Sequence, residues 1–188
     1  VLAGGAVITS INGCAYTRAH TIADPKLREL DREVFLIRSN IGDRKQAQQL
    51  EEAFVEALHR HDLRGYTFSD LFSPLQEYDT EEVNLVLAEY NVEVVVFAAL
   101  LESGTDTDIG STPSGGVYST TKGFALFEFV FEDIALDKRI FLTQVRSRGN
   151  AFANWQVIGS FAANRAVHEF VREYKDEPEH ASHEYAPH

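Results

Sequence analysis

The chain has no methionine, a single cysteine, one tryptophan and only five prolines in 188 residues. One thiol cannot form an intramolecular disulfide, so cysteine usage does not separate a reducing compartment from an oxidising one. The uncharged run that opens the chain is too short for a membrane-crossing helix, which needs about 20 apolar residues. Positive charge is scarce: 17 Lys and Arg stand against 29 Asp and Glu, a formal net charge of −12. A binder of nucleic-acid backbone needs a basic surface to displace counterions, so nucleic acid is excluded as a partner. Loose adsorption on anionic lipid is disfavoured for the same reason. Motifs of common catalysis are missing too. Ser111, Ser114, Ser119 and Ser160 lie in no Gly-x-Ser-x-Gly elbow. Gly115-Gly116 lacks the lysine and helix of a phosphate loop.

What is present suffices for one core: 44% hydrophobic residues, with 13 phenylalanines. The length predicts one domain with tails. Residues 34–37 (Val-Phe-Leu-Ile) form a short apolar run between charges, a buried-strand signature. From 44 to 61, Ala47, Leu50, Phe54, Val55 and Leu58 recur at helical spacing. Residues 65–68 predict a short second strand. Asp79, followed by Glu81 and Glu82, is an N-cap with acids in the first turn, and opens a helix that closes at a left-handed Asn91. The run 92–101 carries one charge, as a strand covered on both faces requires. Residues 118–134 and 139–148 read as a hairpin about 135–138. Phe127, Phe129 and Phe131 take one face of its first arm, and Leu126, Glu128, Val130 and Glu132 the other. A last helix is expected over 154–174, burying Trp155, Ile158, Phe161, Ala162, Ala166, Phe170 and Val171.

The expected fold is therefore α/β (α+β), a mixed sheet of about five strands with three helices in the order β-α-β-α-β-β-β-α. Its early βα units should cross over right-handedly. Residues 15–32 are polar and mixed, and read as a tether or lead-in helix. Residues 102–116 read as a long loop, a length more often functional than not. The acidic, His-rich stretch 175–188 is expected to be disordered.

The opening stretch ends Ile11-Asn-Gly-Cys14 after an uncharged run. It resembles the hydrophobic core and cleavage box of a bacterial lipoprotein signal. The resemblance implies that residues 1–13 are a signal-like segment, that Cys14 is acylated, and that 14–32 connect the anchor to a domain over 33–174. Two or three acyl chains would hold firmly, where one holds weakly. Ala15 stands where an inner-membrane retention aspartate would sit, which implies an outer-membrane protein facing the periplasm. Two other readings stay open: a buried free cysteine behind a short strand, and an uncut segment serving a larger membrane assembly.

The element order, together with the wording of Leu87 to Val96 and of Phe131 to Phe141, resembles the amino-terminal domain of the translocation protein TolB. Its relatives among envelope lipoproteins share the pattern, including activators of penicillin-binding proteins and the curli secretion lipoprotein. A glycine is usual in that family at the turn where this chain has Asp137. The resemblance implies a domain without catalytic residues that binds or scaffolds an envelope protein partner. It leaves self-association open.

Few side chains are candidate binding residues. Asp106 and Asp108 form an Asp-x-Asp fragment of a calcium loop, short of the oxygen ligands a calcium site needs. Tyr118 and Trp155, with Phe152, are aromatics of the kind that concentrate at interface centres, though burial explains Trp155 more simply. His59 and His61 point apart on a helix and suit its C-terminal dipole better than a shared metal. The tail histidines His180, His183 and His188 would have to order a flexible segment round an ion. No metal, no cofactor and no enzyme activity are therefore expected. An envelope hydrolase or ligand-binding enzyme, which would need a pocket of perturbed acids or histidines, is the competing reading.

Overall fold

Helical stripes and two-residue alternation become six strands and four α-helices in the computed structural model, which describes residues 15–73, 75–111, 116–149 and 154–175. In chain order these are β1 (Ala15–Ala23), a single 3-10 turn (Leu27–Glu29), β2 (Val34–Ser39), α1 (Arg44–His59), β3 (Arg64–Thr67), α2 (Phe68–Leu71) and α3 (Thr80–Glu89). There follow β4 (Val94–Ser111), β5 (Val117–Asp133), β6 (Lys138–Gly149) and α4 (Trp155–Lys175). One mixed sheet holds every strand in the order β1-β6-β5-β4-β2-β3. β4, β2 and β3 run parallel, and β4, β5, β6 and β1 pair antiparallel. The α/β class matches the sequence expectation, with one strand and one helix more than expected.

The N-cap expected at Asp79 forms, and Asp43 supplies a second one. Asp43 opens α1 by accepting from the Gln46 N–H at 2.8 Å, and Asp79 and Glu82 form a reciprocal capping box on α3. Asn91 takes a left-handed φ of 52°. Asp137 does the same in the β5–β6 turn, at 49°. Asp and Asn are the side chains that tolerate this conformation after glycine, so an aspartate serves where the related pattern has Gly.

α1 and α4 pack on one sheet face. Phe127, Phe129 and Phe131 of β5 are fully buried there. Phe54 of α1 stacks on Phe129 at 5.5 Å, and Phe170 of α4 stacks on Phe131 at 4.7 Å. Burying each such ring contributes about 1.5–3 kcal/mol, so this aromatic seam dominates the stability of the core. α1 approaches β3 closely because Gly65 has no side chain; a Cβ there would meet Leu58 Cδ1 at 2.9 Å. The second face differs. From β2 the chain moves outward to β3 through α1, then returns across β2 to β4 through α2 and α3. Right-handed crossovers in opposite directions put their helices on opposite faces. Phe72 of the α2 end and Leu87 of α3 accordingly pack with Val34 and Leu36 on the far side of β2.

Two segments depart from expectation. Residues 15–23, read as tether or lead-in helix, form edge strand β1, paired with β6 along all nine residues. Its inward positions are small (Thr17, Ala19, Thr21, Ala23), which lets α4 lie over them. Residues 102–111, read as loop, continue β4. A bulge at Leu101 shifts the register between Leu100 and Glu102. Beyond it β4 and β5 run on together past the last β6 partner, as a two-stranded arm from Thr105↔Gly123 to Ser111↔Val117.

Candidate functional site

α2 and α3 cover only the β2 side of the second sheet face. Beyond Val95 of β4, which still packs with the α2–α3 cluster, that face carries no helix over β4, β5, β6 and β1 among the described residues. Its side chains alternate with the buried ones: Val95, Phe97, Leu126, Glu128, Val130, Leu142, Gln144, Arg146, and on β1 Tyr16, Arg18, His20 and Ile22. Phe97 is 37% exposed, Leu101 48% and Ile22 61%, a large apolar share for an uncovered surface.

A groove of about 440 Å³ opens where α3 ends and this bare face begins. Val95 and Phe97 floor it, with Asn84 and Leu87 of α3 on one side and the β5–β6 turn on the other. Four of its five charged side chains, Glu132, Asp133, Lys138 and Arg139, are tied to the frame by ion pairs. Arg139 bonds Glu132 at 3.1 Å, and Lys138 reaches Asp24 at 2.9 Å. Hydrogen bonding from Lys138, helped by the Lys26 N–H, holds the Asp24 carboxyl below the usual carboxylate range. Asp133 is fully buried; it accepts from Arg32 Nε at 2.7 Å and from the Leu136 N–H at 2.8 Å. The groove therefore presents an apolar floor rimmed mostly by paired charges, a shape for binding. No group of three or more His, Cys, Asp or Glu positioned for a metal occurs among the described residues.

A second polar centre lies at the far ends of β2 and β3. Glu51 of α1 is buried and accepts from the Ser39 N–H at 2.7 Å and the Phe68 N–H at 3.3 Å. Burial pushes its carboxyl above the ordinary range, against those two hydrogen bonds. This residue ties α1 to the ends of two parallel strands. The sequence held the signal: position 51 falls on the helical stripe with Leu50, Phe54 and Leu58.

Of the candidate binding residues Asp106, Asp108, Tyr118 and Trp155, the structure places the side chains of Asp106 and Trp155, on opposite faces of the sheet. Asp106 lies in the first rungs of the β4–β5 arm, 3.5 Å from Arg148 Nε and 3.9 Å from Arg146 Nη2. Its charge faces guanidinium groups, which a calcium ligand would not do. Asp108 pairs with Thr120 and Tyr118 with Gly110 through the backbone; their side chains lie outside the described residues. Trp155 is partly buried at the start of α4, its ring 5.4 Å from Phe127 and its N–H 3.4 Å from the Gln46 carbonyl. It belongs to the core edge. Cys14, Phe152 and the tail beyond 175 lie outside the described residues. No described helix is long and apolar enough to cross a membrane.

No protein-family model and no curated protein matches the chain. Solved structures do. The PelC dodecamer from Paraburkholderia phytofirmans aligns with a TM-score of 0.53 at 9% identity, over 82% of this chain and 97% of that one. Lipoprotein GNA1162 from Neisseria meningitidis aligns more loosely, with a TM-score of 0.45 at 8% identity, over 78% and 100%. At such identities the likeness is one of fold, and it spans nearly the whole PelC chain.

Proposed function

We propose that this protein is a bacterial envelope lipoprotein, anchored through acylated Cys14, whose TolB-like α/β domain binds a protein partner without catalysing a reaction. The anchor would face the periplasm from the outer membrane. The observation that carries the reading is adjacency: the Ile-Asn-Gly-Cys14 sequence ends one residue before Ala15, where β1 begins. A cleaved and acylated cysteine would then sit directly on the edge of a folded sheet. The partner surface is the groove over Val95 and Phe97. Nine residues of β1 span roughly 30 Å at about 3.4 Å each, which holds that groove well away from the anchored end. Its apolar floor, with most rim charges held in ion pairs, supports a docking role.

The test is mass spectrometry of Cys14 in protein from native membranes, followed by crosslinking from Phe97 in intact envelopes. A bare thiol on a processed chain overturns the anchor, and turnover of a substrate by the purified chain overturns the non-catalytic role. Self-assembly is the second reading, favoured by one observation: PelC, which shares the fold, is a dodecamer. Among the described residues, edges β1 and β3 have no strand on their outer sides. A head-to-tail contact between unlike edges can close into a ring. Analytical ultracentrifugation separates a closed oligomer from a monomer.

A further inference from the structure

In a chain of net charge −12, three arginines gather on the uncovered face at the end where β1 starts. Arg18 stands directly opposite Arg146 across β1 and β6, and Tyr16 stands opposite Arg148. Together with Asp106 they line a shallow cavity of about 230 Å³. Like charges directly opposite on neighbouring strands destabilise a sheet, and the single Asp106 carboxylate, 3.5 Å from Arg148 and 3.9 Å from Arg146, offsets only part of three positive charges. The guanidinium groups are nonetheless held in place. Arg146 stacks over the Phe124 ring at 4.4 Å, and Arg18 Nε donates to the Tyr16 hydroxyl at 3.0 Å. The Arg146 side chain remains 48% exposed.

Position gives the cluster its meaning. Tyr16 and Arg18 follow Cys14 by two and four residues, with no spacer before the strand. From Ala15 to Arg18 the strand advances about 10 Å, close to one Debye length at physiological salt. The cluster thus lies within electrostatic reach of any bilayer that holds Cys14. The β4–β5 arm projects from the same end, rich in Thr, Asp and Ser. Hydrocarbon does not admit an open ribbon of that kind, so the sheet cannot stand upright on its anchored end. It must tilt.

We propose that Arg18, Arg146 and Arg148 dock the phosphate groups of anionic lipid headgroups in the membrane that carries the anchor. The domain tilts onto its β1 corner, and the groove at the other end lifts clear. This rests on the acylation reading and adds an orientation to it. The net negative charge repels free protein from such a surface; an anchor overcomes this by raising the local concentration, so a modest contact suffices.

The single thiol of the full chain permits a direct test. Cys14 is coupled to a short-chain acyl maleimide, and partitioning is measured into vesicles of phosphatidylcholine with and without phosphatidylglycerol. The coupled chain is expected to prefer the anionic vesicles, with the preference lost at high salt. Arg18→Gln and Arg146→Gln should each lower that partitioning roughly fivefold, and Arg60→Gln, exposed at the end of α1, should not. Equal partitioning into both vesicles, or no change in the two variants, overturns the proposal. So does displacement by inorganic phosphate at matched ionic strength, which would mark a site for a soluble phosphate ligand. Chemistry supplies the anchor in this test, so failure here leaves native acylation standing, and a bare native thiol leaves this measurement unaffected.

Discussion

Arg32 Nε lies 2.7 Å from Asp133 Oδ2, joining the segment that enters β2 to the last residue of β5, one hundred and one positions away. The aspartate is wholly enclosed, and its other oxygen fixes the Leu136 N–H of the β5–β6 turn. The arginine backbone N–H also meets the Tyr174 hydroxyl at 2.7 Å, so the end of α4 shares the latch. Removing one partner of an enclosed pair leaves the other without compensation. Asp133→Ala is expected to cost about 3 kcal/mol in urea denaturation, with Asp133→Asn milder because it keeps an acceptor. A loss under about 0.5 kcal/mol would mean that water replaces the carboxylate without penalty.

Glu51 makes stability depend on pH with a definite sign. Its folded carboxyl titrates above the unfolded one, because burial disfavours the charge. The folded state therefore holds its proton more tightly. Glu51 contributes stability that is fully present below the ordinary carboxylate range and is lost as pH rises through its elevated folded value. Glu51→Gln should flatten that part of the stability profile in pH-dependent melts. Glu51→Ala should cost about 1–3 kcal/mol, since the part-buried Ser39 and Phe68 N–H groups then lose their acceptor. An unchanged profile in the Gln variant would assign the pH dependence elsewhere.

Asp24 has the opposite sign. Lys138 depresses its carboxyl, so its contribution is present above the unfolded value and fades as pH falls through the folded one. Asp24→Asn should remove a decline on the acid side and leave neutral stability nearly as it was, the pair being exposed. Acid titration followed by far-ultraviolet circular dichroism reads this directly.

Phe129 and Phe97 occupy the two faces of one sheet and should answer differently to truncation. Phe129 is fully enclosed against Phe54, and Phe129→Ala is expected to cost about 3–5 kcal/mol. Phe97 lies on the groove floor, partly exposed; Phe97→Ser should shift stability by less than about 1 kcal/mol and abolish partner crosslinking from a probe at Asn84 on the groove wall. Equal losses of stability would place Phe97 in the core and remove the groove as a surface.

The sequence announced its best-patterned parts. The Phe127-x-Phe-x-Phe131 alternation gave β5, the stripe around Phe54 gave α1, and Asp79 gave the start of α3. β1 stayed hidden because the side chains that face the core are Thr and Ala, whereas Tyr16, His20 and Ile22 face outward. Its hydrophobic alternation runs opposite to its burial. The arm around Asp106 stayed hidden for another reason. Its first rungs set polar residues against polar residues, and the scattered apolar side chains further out, Ile109 and Val117, are exposed, so the pairing leaves no core-facing pattern to read. The cluster of Arg18, Arg146 and Arg148 could not be anticipated either, since it depends on pairing β1 with β6 across more than one hundred residues.

That arm also has a thermal consequence. A ribbon of two strands without a third neighbour or a helix beneath it is marginal in water by itself. From Asp106↔Lys122 outward, beyond Gly123, which still approaches Ile158 of α4, every rung leans on the one before it. Amide protons there should exchange with solvent ahead of those between Phe127 and Val145, and gentle warming should unzip the molecule from its tip inward long before the phenylalanine seam lets go.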